Sequence, residues 1–382
     1  MSCQKLLKMI DELEAKYIDI WEAVCNIESP TKDKAGVDRA CEYLVRVTDN
    51  WGCQVETLEC ENAGNAICIT MNPRINAAPV IFSGHMDTVH PIGLFGQPAV
   101  RKDETMIYGP GVADCKGGVV ASLMAMEALM RCGYTKRPIK LILQTDEETS
   151  SKNSNKKTVE FMCEKSRGAV AFFNTEPANG NIATIARKGI VRYRMTIRGI
   201  AAHSALCPQG ASAIAEAAHK ILKLEKFKDQ DGITCNCGVI NGGTTPNTVA
   251  AECVLIADFR FADAEQLMTI QRIVAEVADT NEIAGCSCVW EEMSFRPAMP
   301  LTQRNKEFLK LINRIYAENG LPQLRENIGI GGSDAAYITE IGIPCVDSVG
   351  VDGGQLHSIK EYARLASLAE SAKRLAAVTY FL

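Results

Sequence analysis

Apolar side chains recur at helical spacing over residues 4 to 26 and again over 34 to 51, which predicts two amphipathic helices separated by a stop-and-restart signal at Glu28-Ser29-Pro30-Thr31. Beyond them the pattern shortens. Pro79–Ser83, Ile139–Thr145 and Gly168–Asn174 are continuous apolar runs of strand length, while Gly118–Arg131 and Thr158–Lys165 keep helical spacing. Strands alternating with helices predict a largely parallel sheet covered on both faces, and in such sheets ligands gather beyond the carboxyl ends of the strands.

Near residue 186 the period changes. Gly189–Arg198 alternates as a half-buried strand, with Val191, Tyr193, Met195 and Ile197 on one face. A helix at 211–224, strands at 233–240 and 249–261, a helix at 264–279 and a strand at 286–295 complete a strand-helix-strand-strand-helix-strand order. That order suits a smaller α+β domain with one solvated sheet face. After Pro297 and Pro300 the first style returns, with a helix at 304–318, a buried run over Ile341–Val346 and a terminal helix. The organisation expected is a discontinuous α/β domain, 1–185 with 298–382, carrying an insertion at 186–297.

Composition narrows the function. Net charge is −5, and no Lys/Arg run exceeds a pair, which argues against nucleic acid and anionic membranes as partners. No apolar stretch is long enough to span a bilayer. The first ten residues enter a helix pattern without a signal-peptide apolar block, so a cytoplasmic location is expected. Sixteen cysteines lie scattered, with Cys235-x-Cys237 and Cys286-x-Cys288 the close pairs. Without a signal segment they are expected as free thiols packing like small hydrophobes, not as a disulfide framework.

The chain has five histidines, and His85 opens the end of a strand in Ser83-Gly84-His85-Met86-Asp87-Thr88-Val89. Side chains two apart leave a strand on the same side, so Asp87 can hold the His85 imidazole in a metal-ligating tautomer. Carboxylates end other elements. Asp114 lies in the loop Gly109–Gly118 before the long helix, Glu147 and Glu148 follow the strand at 139–145, and Glu176 follows the strand at 168–174. His357 sits in a glycine-rich loop, Gly353–Ser358. Singly, each motif is ordinary: a turn, a helix cap, a polar loop. Together, on these elements, they can converge on one crevice.

The set GHMDTV, GPGVADCKGG, TDEETS, NTEP, RGIAAHSA and LHS resembles the M20 family of metallopeptidases over the chain from about residue 27 onward. The family contains glutamate carboxypeptidases, acylamino-acid deacylases and tripeptidases. The resemblance implies a zinc-peptidase-like α/β catalytic domain with a mixed, mostly parallel sheet, plus an inserted α+β lid or dimerisation domain. It implies two divalent metal ions, zinc first, with cobalt or manganese as alternatives. Asp114 would bridge them, with His85 and Glu176 completing one site and Glu148 and His357 the other. Asp87 would orient His85, and Glu147 would be the general base on the metal-bridging water. A cis peptide bond is implied after Asp114. Two zinc ions bring four positive charges, which three carboxylates and one hydroxide cancel, as suits an open catalytic centre.

In the insertion, His203 would stabilise the oxyanion in its own or a partner's active site. Asn247, Arg260 and Ser333 match substrate-binding positions, Arg260 by offering a planar fork to a carboxylate. Ser212 departs from the asparagine common in the family. Cys115 is expected to pack, and His219 to be solvated; no role follows for His90. The expected reaction is hydrolysis of a peptide or amide bond adjacent to a free carboxylate, carboxypeptidase-like. The alternatives are an N-acyl-amino-acid deacylase resembling acetylornithine deacetylase, a tripeptidase and, from a different class, a non-catalytic binding protein. The substrate is a small peptide or N-acyl amino acid, and a homodimer through the insertion is implied.

Overall fold

The computed structural model describes residues 2–228 and 232–382, which divide into two compact units. The first comprises Met1–Ala186, Leu301–Ile328 and Tyr337–Leu382; the second comprises Arg187–Pro300 and Gly329–Ala336. The short segment Gly329–Ala336, grouped from the sequence with the flanking halves, packs with the inserted unit.

The first unit is built on a six-stranded sheet in the order Gln54–Leu58, Ala66–Met71, Ile139–Gln144, Val80–His85, Ala171–Asn174, Cys345–Val346. The first two pairings are antiparallel and the last three parallel, so the sheet is mixed and mostly parallel. Register places His85 beside Gln144 and Ser83 beside Asn174. The carboxyl ends of three parallel strands therefore lie at one edge. The helix Lys116–Arg131 is buried from Lys116 to Leu129 and packs with Cys3–Asn26 and Ser367–Phe381. Its first turn touches the strand ends so closely that a Cβ on Gly118 would lie 2.0 Å from the Thr175 carbonyl oxygen. That contact explains Gly118, and a Cβ on Gly117 would lie 2.4 Å from the Val112 carbonyl oxygen. Lys116 Nζ, fully buried, donates to the carbonyls of Val24 (3.3 Å) and Ile27 (2.8 Å) and so satisfies acceptors at the end of the N-terminal helix.

The second unit is an antiparallel sheet ordered Thr234–Gly242, Glu252–Phe261, Gly189–Arg198, Ser287–Arg296. Val191, Tyr193, Met195 and Ile197 are buried against the helices Ala213–Leu224 and Ala264–Asp279, while Arg192, Arg194 and Arg198 are exposed. Ser212 caps the first of these helices, its hydroxyl accepting from Ala215 N at 3.2 Å.

Three local expectations change. The second helix stops at Val47, because the Thr48 hydroxyl donates to the Val45 carbonyl (2.7 Å) and closes the turn. The run 341–346 is strand only at Cys345–Val346, since Ile341 and Gly342 close a turn against Tyr337 and Thr339. Several strands add to those the periodicity predicts, among them Gln54–Leu58, Ala66–Met71 and Ile182–Arg187. All sixteen cysteines are free. Among the described residues, no helix is long and apolar enough to cross a membrane.

Candidate metal centre

The parallel strand ends and two loops bring His85, Asp114, Glu148, Glu176 and His357 together. Asp114 stands between two imidazoles. Its Oδ1 lies 3.0 Å from His85 Nε2 and its Oδ2 3.2 Å from His357 Nε2. On the outer sides, Glu176 Oε1 lies 3.8 Å from His85 Nε2, and Glu148 Oε2 lies 3.2 Å from His357 Nε2. The peptide bond from Asp114 to Cys115 is cis. His357 itself takes a left-handed backbone, φ +60°, in its loop.

Protonation shows what this crowding needs. Burial pushes the carboxyl of Glu148 up to about 7 and that of Glu176 well above its ordinary value. Burial also acts on Asp114, but hydrogen bonds from His357 and His85 outweigh it and hold that carboxyl low. The His357 imidazole is raised to about 10, first by Asp114 and then by Glu148. Burial pulls His85 down, yet Cys115, Asp114 and Asp87 together raise it well above its ordinary value. In the protein alone, protons sit where positive charge is wanted.

The donor set fits divalent ions. His85 Nδ1 lies 2.9 Å from the Asp87 main-chain carbonyl, which can only accept. Nδ1 therefore carries a proton, and in the neutral ring the lone pair is on Nε2, the atom facing Asp114 and Glu176. Two imidazoles and three carboxylates match nitrogen-and-oxygen catalytic sites. His85, Asp114 and Glu148 form one cluster with donor atoms mutually within 4.8 Å, and His85, Cys115 and Glu176 form another. Cys115 Sγ accepts from His85 N at 3.2 Å, and burial raises its thiol to about 12. It packs in the core beside His85.

Asp87 acts differently from a side-chain aimer alone. Its carbonyl is the nearest group to His85 Nδ1, while its Oδ1 is 3.4 Å away. The carboxylate mainly holds the next loop, accepting from Glu147 N and Glu148 N at 3.2 Å each, and from the Thr31 hydroxyl at 2.7 Å. Glu147 and Glu148 stand in a 3₁₀ turn, Glu147–Thr149, not in extended chain. At three residues per turn, neighbours point about 120° apart, so the two carboxylates still diverge.

Two residues escaped the sequence reading. Thr31 was part of a helix-break signal. Glu361 accepts from the backbone N–H groups of Gly111 (3.3 Å), Ala113 (3.0 Å) and Asp114 (3.1 Å), and lies 2.8 Å from His90 Nε2. It gives His90 a partner and pins the loop that presents Asp114. No spacing signal links Glu361 to that loop, 247 residues away.

In the inserted unit, His203 and Asn247 share one clip, where Ser204 N donates to the Asn247 carbonyl (3.0 Å) and His203 pairs with Thr248. His203 Nδ1 accepts from Ala205 N at 3.2 Å. Its neutral ring then carries the proton on Nε2 and offers a donor outward. Arg260 spends its fork on Asp258, at 2.7 Å from Nε and 3.4 Å from Nη2, as a strand-surface ion pair. Ser333 is buried, its hydroxyl accepting from Ala335 N at 3.2 Å. His219 is exposed.

Known proteins share this arrangement of chain. Carboxypeptidase G2 from Pseudomonas sp. (strain RS-16) is 27% identical over 95% of this chain and 88% of its own length. A succinyl-diaminopimelate desuccinylase from Nitrosospira multiformis is 26% identical over 87% of this chain and 90% of its own. The crystal structure of aminopeptidase PepT from Bacillus cereus superposes with a TM-score of 0.79 at 22% identity, covering 96% of this chain and 98% of that one. A profile of peptidase family M20/M25/M40 matches residues 81–380. The chain belongs to that family and is a metallopeptidase or amidohydrolase of the M20 type.

Proposed function

We propose that the chain hydrolyses a peptide or amide bond adjacent to a free carboxylate, in the manner of a carboxypeptidase, with two divalent ions held by His85, Asp114, Glu148, Glu176 and His357. The observation that carries this reading is Asp114, whose two carboxylate oxygens each face a different imidazole. When bound, zinc or a similar ion would supply an activated water and polarise the scissile carbonyl. Glu147, anchored through its backbone N–H to Asp87, is assigned outside the ligand set as the general base that would pass a proton to the leaving amine. His203, with Nε2–H facing outward, suits donation to the oxyanion. Asn247, Arg260 and Ser333 are proposed to contact the substrate, Arg260 only after its fork leaves Asp258.

Glu176, a glutamate where family aminopeptidases and dipeptidases usually carry aspartate, and the Gly109-Pro110-Gly111 lead support carboxypeptidase action. The likeness to a desuccinylase supports N-acyl-amino-acid deacylation as the second reading. The test is a screen of the purified chain, supplied separately with Zn²⁺, Co²⁺ and Mn²⁺, for release of C-terminal amino acids against hydrolysis of N-acyl amino acids. C-terminal release dominating is the expected result; dominant N-acyl hydrolysis moves the assignment to the deacylases. No amide hydrolysis with any ion overturns both.

A further inference from the structure

The inserted unit carries a second set of metal-type donors. Cys235 and Cys237 lie two apart on the strand Thr234–Gly242, so both sulfurs leave the same face. The ladder to Glu252–Phe261 slips between Cys237 and Val239, a bulge of the kind that re-aims a side chain. Glu225, where the helix Ala213–Leu224 gives way to a 3₁₀ turn, reaches the same place and accepts from Cys237 N at 3.0 Å. The two sulfurs and a Glu225 carboxylate oxygen all lie within 4.8 Å of one another. Cys235 is buried, whereas Cys237 and Glu225 are half-buried and reachable. The other close pair, Cys286 and Cys288, forms no such group with a third donor among the described residues.

We propose that Cys235, Cys237 and Glu225 bind one thiophilic divalent cation, zinc or cadmium, in an open site that shares no residue with the His85–His357 centre. Two sulfurs and one carboxylate oxygen select such ions over manganese, magnesium or calcium, which favour oxygen-rich sets. Three protein donors leave a fourth, tetrahedral position for water. Glu225 is already fixed to the strand backbone, so less side-chain freedom is lost on binding. The thiols are in contact: their mutual hydrogen bond lowers the pKa of Cys237 and raises that of Cys235. Binding releases thiol protons as the sulfurs become thiolates. The bound ion fastens the end of the helix Ala213–Leu224 to the edge strand of the inserted sheet.

The test titrates cadmium into the reduced, manganese-loaded full chain and follows the ultraviolet thiolate-to-cadmium absorption band. One equivalent with a band is expected in the native sequence. The band should be lost in Cys235→Ser and Cys237→Ser, and binding weakened in Glu225→Gln, with manganese-supported hydrolysis unchanged in all three. A band of equal size in both cysteine variants, which Cys115 could supply, overturns the proposal, as does the absence of a band in the native chain. If a variant fails to fold, alkylation of the native chain decides. Cadmium should protect Cys237, mapped by peptide mass spectrometry, and equal labelling with and without cadmium contradicts the site.

Discussion

Two charge clusters, one in each unit, have opposite designs. In the inserted unit, Lys220 and Glu216 are fully buried and sit 3.1 Å apart. Lys220 Nζ also donates to the carbonyls of Val277 (2.8 Å), Ala278 (3.3 Å) and Thr280 (2.9 Å) and to Asn281 Oδ1 (3.2 Å). Glu216 Oε2 accepts from Glu282 N (2.9 Å) and Ile283 N (2.7 Å). One cation meets one anion, and their further partners come from the end of one helix and the loop after it. In the first unit, three carboxylates crowd two imidazoles, and the group reaches an acceptable charge by taking up protons. The first cluster is a closed rivet. The second carries more carboxylates than imidazoles, which suits the proposed cations. Burial alone does not mark a functional site; unbalanced donors do.

The largest expected effect tests the second cluster. Glu147→Ala should lower kcat by about 10²- to 10⁴-fold, the usual contribution of a general base, with metal content intact. Retained turnover, or loss of metal, would show that Glu147 does something else.

The closed cluster is broken by Glu216→Ala. Removing one partner leaves Lys220 charged and buried, so unfolding stability should fall by about 3–5 kcal/mol in denaturant titrations. A change near zero would remove the distinction between the clusters. Replacing both residues with apolar ones of similar volume should recover much of the loss.

Acidity separates the two as well. With His357 raised to about 10, the metal-free centre holds that proton at neutral pH, and an arriving ion must displace it. Apparent metal affinity should therefore rise with pH between about 6.5 and 10, accompanied by proton release in weakly buffered calorimetry. The stability that charged His357 gives the metal-free chain runs the other way. It is full below the ordinary value of 6.5 and is lost as pH climbs through about 10. Affinity flat across that window would contradict the ligand assignment.

The smallest effect is expected at Thr31→Val. It removes one hydrogen bond to Asp87, worth about 1 kcal/mol, and should change kcat several-fold without loss of metal. A fall as large as that of Glu147→Ala would mean that Thr31 acts on the substrate.

Much of this was legible in the chain. The shift from continuous runs to alternation at Gly189 marked the inserted sheet, because one of its faces is covered and the other solvated. The helix Ala264–Asp279 was readable from its period, with Ile270, Ile273, Val274 and Val277 inward. The strand-end positions of His85, Glu148 and Glu176 followed from element ends. Other features were hidden for physical reasons. Gln54–Leu58 is an edge strand, mostly polar and without a clean alternation. The 3₁₀ turn at Glu147 is held by an amide contact to Asp87, sixty residues away in sequence. Glu361 works through backbone N–H groups, which leave no trace in residue types. The partner of Arg260 is two residues away in Asp258, on the same strand face, where spacing alone does not separate an ion pair from a substrate fork.

The most direct test of the second cluster is crystallography of the full chain soaked with Mn²⁺, with anomalous difference maps. The account predicts two peaks sharing Asp114, one flanked by His85 and Glu176 and the other by Glu148 and His357. A single peak, or peaks that leave Asp114 outside coordination distance, would contradict it.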